Sequence, residues 1–253
     1  MAGTAGTLQP PDDGSPTERQ AFPLVTPRPV GNVTHLMLRF RILGFPVAVH
    51  WFFWVNMALL GGAIGASTPE AMRALLMWMA AGFASILVHE LGHALAMRHY
   101  GDRHVGILLY AFGGVAQGSR GLSRSQDFYV SAAGPFVQIA AGVAVWWLRD
   151  LWQPPPGLVR TFLNAFLQVS LFWGILNLFP IIPLDGGHIA RALLGPRRLR
   201  IALTLSLICA VCGALFFLQT GGLFATVFFG MFAFNNWKEL QGQPQVPWMI
   251  GRD

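Results

Sequence analysis

Long uncharged stretches alternate with short basic ones along most of the chain. After Arg41 no Asp, Glu, Lys or Arg appears until Glu70, and residues 47–66 fit one membrane span. Residues 74–97 form a second, interrupted only by His89, Glu90 and His93. Residues 128–148 give a third and residues 161–184 a fourth, both without charge. The run from Ile201 to Trp237 is too long for one crossing at about 20 residues each. Thr220-Gly221-Gly222 offers a turn that divides it into a fifth span and a short sixth. The pattern predicts an all-α polytopic membrane protein of about six transmembrane helices. Residues 104–119 are uncharged, β-branched in places and too short to cross, and they contain Gly113-Gly114. They predict a small membrane-associated β-hairpin or re-entrant loop, because irregular backbone at that depth must be buried in protein or line a wet cavity.

Composition agrees with this reading. Of 253 residues, 54% are hydrophobic and only 11% charged, under half the charge of an ordinary soluble domain. Residues 1–35 are polar and rich in Pro, Gly and Thr, and are expected to be a disordered N-terminal tail. The six-span domain then covers 36–240, and 241–253 is a short C-terminal tail. No compact signal peptide opens at Met1, so the apolar runs are expected to persist in the mature protein.

The net charge of +6 could suggest nucleic acid, but its distribution says otherwise. With six spans, 14 of the 17 Lys and Arg fall on the side of both termini and only Arg73, Arg149 and Arg160 on the other. The positive-inside rule makes the first side cytoplasmic. No basic helix or aromatic-basic motif accompanies the charge, so no nucleic-acid partner is expected.

His89-Glu90-Leu91-Gly92-His93 places two imidazoles four residues apart on one helical face. That spacing lets both hold one zinc ion, with Glu90 beside it to move a proton. A glutamate inside a span is costly and needs a partner or a function. A third ligand should lie at matching depth, and Asp185 follows Pro180, Pro183 and precedes Gly186-Gly187 on the next span to end at the same face. Alternatively, Asp185 could simply cap a helix beginning near His188. His50, His99, His104 and His188 read as interfacial or supporting histidines. Cys209 and Cys212 read as small packing residues.

The two motifs together, HELGH in one span and NLFPIIPLDGGH in a later one, resemble the site-2 protease family of intramembrane zinc metalloproteases, in its compact prokaryotic form. Gly44-Phe45-Pro46, Gly113-Gly114-Val115-Ala116 and Ala132-Ala133-Gly134-Pro135 add weaker similarity. The resemblance implies zinc bound by His89, His93 and Asp185, Glu90 as catalytic base, and Asn177 positioning substrate or steadying the oxyanion. It implies a bacterial inner-membrane enzyme that cuts transmembrane protein substrates, such as an anti-sigma factor or another membrane-tethered regulator, beside the cytoplasmic face. The Gly-Gly segment matches a strand region that pairs with an unwound substrate. The alternative from the residues alone is a multi-span zinc transporter or metal-binding membrane protein, which would want repeated, symmetric motifs that are not visible here.

Overall fold

The computed structural model describes residues 37–111 and 113–243. The expected tail at 1–35 and most of the one at 241–253 lie outside them. The described chain forms a single compact unit in the order β1 (Met37–Ile42), β2 (Phe45–His50), α1 (Trp51–Leu60), α2 (Pro69–His99), β3 (Gly106–Tyr110), β4 (Gly113–Gln117), α3 (Arg124–Trp152), α4 (Leu158–Asn177), α5 (Asp185–Leu194), α6 (Leu199–Gln219) and α7 (Leu223–Leu240).

Among the described residues four helices are long and apolar enough to cross a membrane: Pro69–His99, Arg124–Trp152, Leu158–Asn177 and Pro196–Gln219. Four of the six expected crossings are thus matched by such helices. Residues 47–66 are not one helix. Phe45, Val47 and Val49 alternate inward along a strand, the period-2 pattern of a β element, and only ten residues after it are α-helical. His50 ends the strand and caps α1, its Nδ1 accepting from the Phe52 amide at 3.2 Å. Strand and helix together nevertheless run antiparallel to α2 over much of its length. At one end Arg98 donates to the Leu43 carbonyl at 2.9 Å and lies over the Phe45 ring. At the other, Gly61 packs against Trp78 and Leu75.

The turn at 220–222 is present, and α7 packs back along α6 through stacked Phe217 and Phe229, with ring centroids 5.5 Å apart. At 18 residues, α7 ends in Asn235, Asn236, Lys238 and Glu239, so it does not qualify as an apolar crossing. Helices α3 and α4 occupy the expected third and fourth spans, but α4 stops at Asn177, before the two prolines. Phe136, Trp147, Phe172, Ile208 and Leu215 point outward and are exposed. That apolar exterior suits lipid and would be a liability in water.

The expected hairpin is present, and it belongs to a larger sheet of order β1-β2-β3-β4. β1 and β2 are antiparallel, as are β3 and β4, while β2 and β3 are parallel, Val47 opposite Ile107 and Val49 opposite Leu109. A parallel pair needs a long crossover, here supplied by α1 and α2. The inner face of Phe45, Val47, Val49, Ile107, Leu109 and Ala116 packs with Phe53, Ile86, Met97 and Val130. The sheet is thereby fastened along the half of α2 that carries the paired histidines.

Candidate metal centre

α2 begins with Pro69 at its first position and Thr68 as cap, whose hydroxyl accepts from the Ala71 amide. It then continues unbroken for 31 residues, so His89 and His93 lie one turn apart on the same face. Both are buried, at 4% and 1% exposure. Their face is pressed against α3, where a Cβ on Gly92 would stand 2.8 Å from the Ala133 carbonyl oxygen. A Cβ on Gly134 would fall 2.2 Å from His93 Nε2. The weakly similar Ala132-Ala133-Gly134-Pro135 segment is therefore where the third helix makes room for the imidazole.

Asp185 reaches the pair from a break in the chain. Between α4 and α5, residues 178–184 are irregular, and both backbone groups of Ile182 are taken by side chains from the last two helices. Its N–H donates to Ser206 Oγ at 2.7 Å, and its carbonyl accepts from Asn236 Nδ2 at 2.7 Å. Non-helical backbone at this depth requires such partners. Ile181 fills a pocket with Phe228, Phe229 and Phe232. Gly186 and Gly187 pack directly on the main chain of Leu178 and Ile181–Ile182, with no room for a Cβ.

Asp185 is the first residue of α5, and the cap position before it is held by Leu184. Its Oδ2 lies 3.0 Å from His89 Nε2, and its Oδ1 lies 3.2 Å from His93 Nε2. The capping alternative is thereby set aside. The two Nε2 atoms are themselves 3.0 Å apart, and one ligand atom from each residue falls within 4.8 Å of the others.

The donor set fits a zinc ion. His93 Nδ1 faces the Val130 carbonyl at 2.7 Å, and a carbonyl only accepts, so the proton is on Nδ1. His89 Nδ1 faces Gln138 Oε1 at 2.9 Å, which sets the same tautomer. Both Nε2 lone pairs then converge on one another and on a carboxylate, an arrangement that needs positive charge in its midst. Ligand atoms placed tetrahedrally about 2.0–2.1 Å from zinc would be about 3.3 Å apart, close to the separations seen.

Glu90 is buried, and its Oε2 has no hydrogen-bond partner. It lies under β4, where a Cβ on Gly114 would stand 2.4 Å from its Cγ. Asn177 closes α4, with Nδ2 donating back to the Trp173 carbonyl at 3.0 Å. His50 caps α1 and stacks edge-on against Tyr110. His188 is buried with Nδ1 3.2 Å from an Arg191 guanidinium nitrogen, and the His104 amide donates to Asp102.

Several contributors are not visible in the motifs. Gln138 Nε2 donates to Ser85 Oγ at 2.9 Å, and Ser85 Oγ lies 2.8 Å from Ser170 Oγ, joining α2, α3 and α4 behind His89. A signal existed: Gln138 is the sole amide side chain in the run 128–148, and Ser85 precedes His89 by one turn. Ser206 and Asn236, which hold the Asp185 loop, carry no comparable signal.

A model of Peptidase family M50 matches residues 155–219. Rip3 of Mycobacterium tuberculosis is 33% identical over 174 residues, covering 62% of this chain and 43% of its own. Zinc metalloprotease MJ0392 of Methanocaldococcus jannaschii is 29% identical over 159 residues, covering 62% of this chain and 45% of its own. The chain thus spans under half the length of these curated relatives. Among solved structures, the site-2 protease from Methanocaldococcus jannaschii superposes with a TM-score of 0.58 and 25% identity, over 81% of this chain and 95% of that one. With its apolar helices the chain is an integral membrane protein, and its sequence, fold and buried histidine–aspartate centre are similar to those of site-2 proteases and of peptidase family M50.

Proposed function

We propose that the protein is a zinc-dependent intramembrane endopeptidase that hydrolyses peptide bonds in or beside the transmembrane segments of other membrane proteins. The observation that carries this reading is the buried meeting of His89, His93 and Asp185 from two separate helices, with the buried Glu90 next to His89 on α2 and its Oε2 without a hydrogen-bond partner. His89, His93 and Asp185 would hold the ion. Zinc, when bound, supplies a Lewis acid that polarises the scissile carbonyl and acidifies water. Glu90 takes the proton of the attacking water at its carboxylate and returns it to the departing amine. Asn177 carries a second amide N–H beyond the one given to Trp173, available to the oxygen that gains charge. Holding Oε2 free of other donors keeps Glu90 available as a base.

A helical substrate hides its carbonyls in its own hydrogen bonds. β4 is an edge strand and can offer an unwound segment replacement backbone bonds by strand addition. The β2–α1 unit, lying along α2, and α7, returning along α6, would complete six crossings, with both termini cytoplasmic and the centre near the cytoplasmic face of a bacterial inner membrane. The substrate class that fits is a membrane-tethered regulator such as an anti-sigma factor. The test is cleavage of model transmembrane substrates by the zinc-loaded full chain and by Glu90→Gln. The variant should keep its zinc and lose at least about 100-fold in rate, the lower end for a positioned acid–base group. Undiminished cleavage by the variant would refute the assignment.

A further inference from the structure

We propose that Gln138 is a positioning residue for His89 and that it sets how tightly the centre holds its metal; this rests on the reading of the centre given above. Gln138 is fully buried on α3, and its two amide ends have different tasks. Oε1 meets His89 Nδ1 at 2.9 Å, and Nε2 donates to Ser85 Oγ at 2.9 Å. Ser85 lies on the same helix as His89, one turn earlier, and is bonded in turn to Ser170 of α4 at 2.8 Å. The amide is therefore held at both ends, with three helices contributing.

The polarity of that amide has a chemical consequence. With Oε1 toward the ring, the His89 proton stays on Nδ1 and the Nε2 lone pair faces Asp185 and His93. Reversed, the amide N–H would claim the Nδ1 lone pair, place the proton on Nε2 and remove His89 as a ligand. With the Ser85 hydroxyl donating to Ser170 Oγ, Ser85 Oγ is left as an acceptor for the amide N–H, which selects the first orientation. His93 needs no such device, because its Nδ1 meets a backbone carbonyl that cannot turn. Partners of this kind fix the orientation and basicity of a ligand imidazole, and removing one costs about 10- to 100-fold in metal affinity.

The experiment is a competition between the purified full chain and a chromophoric chelator for zinc or cobalt, with thermal unfolding of the metal-free protein measured in parallel. Gln138→Leu should bind the ion about 10- to 100-fold more weakly, while Gln138→Glu, which keeps an acceptor at Nδ1, should stay within about threefold of wild type. Ser85→Ala, which leaves the acceptor but frees the amide to turn, should weaken binding less than Gln138→Leu. Gln138→Leu within threefold of wild type, or Ser85→Ala more damaging than it, would overturn the inference. If Gln138→Leu does not fold, a Gln138→Glu affinity lowered as far as tenfold, with an unchanged metal-free melting point, would do the same. A wild-type chain that binds no ion lost on His93→Ala would instead refute the metal centre itself, so the two failures are distinguishable.

Discussion

Gly114 of β4 lies against Glu90 of α2 so closely that a single added carbon would stand 2.4 Å from Glu90 Cγ and 2.7 Å from its carboxylate carbon. The hairpin thus forms the roof over the proposed base. The Glu90 side chain can keep its place only while the strand carries no side chain at position 114.

Gly114→Ala must therefore push Glu90 aside. Misplacing a reacting group by about 1 Å costs on the order of 100-fold in rate, and the zinc ligands are untouched. Turnover should fall by about that factor, with zinc per chain unchanged as measured by elemental analysis. Loss of zinc together with activity would show that the hairpin supports the ligands as well.

Gly134→Ala should behave in the opposite way. Its added carbon would fall 2.2 Å from His93 Nε2, an atom of the centre itself, and α3 cannot back away while Gly92 is packed on Ala133. Zinc binding and activity are both expected to disappear in this variant. A variant that keeps a full complement of zinc would contradict the packing described for α2 and α3.

The roof is fixed at its base by Asp102 and at its tip by Asn56. Asn56 Nδ2 donates to the Ala111 carbonyl at 2.8 Å, at the turn between β3 and β4. Asp102, beyond the end of α2, accepts from the amides of His104, Ser119 and Arg120 and from the Ser119 hydroxyl, so it ties together the two chain segments that flank the hairpin. Burial pushes its carboxyl up, but these donors outweigh burial and hold it below the usual carboxylate range. A depressed native pKa adds stability above the unfolded value of about 3.9, and that contribution is lost as pH falls through the native one. Asp102→Asn leaves donor facing donor and should cost about 1–3 kcal/mol. Hydrogen exchange of the β3–β4 amides should accelerate in the variant at neutral pH, and wild type should approach it only in acid. Equal protection in both at neutral pH would contradict the clamp.

How legible these features were in the sequence depended on whether the signal was local. The helical spacing of His89 and His93, the prolines before Asp185 and the Gly-Gly turn after α6 all follow from chain-neighbour chemistry, and the structure bears them out. Residues 47–66 are apolar throughout, so composition alone could not separate a crossing helix from a buried strand followed by a short helix. The alternation at Phe45, Val47 and Val49 was the available cue, and it became decisive only once β3 supplied a parallel partner. Gln138, Ser206 and Asn236 act on backbone or side chains far away in sequence, and such pairings emerge only when the helices are packed. Asp102 reads as an ordinary loop acid until Ser119 and Arg120 are brought back to it.

Zinc K-edge X-ray absorption on the purified full chain tests the centre most directly. One ion per chain is predicted, with two imidazole nitrogens at about 2.0–2.1 Å and a carboxylate oxygen at about 2.0–2.2 Å, and Asp185→Ala should lose the ion or the carboxylate scattering. A sulfur shell, a single imidazole, or a spectrum unchanged in Asp185→Ala would contradict a centre built from His89, His93 and Asp185.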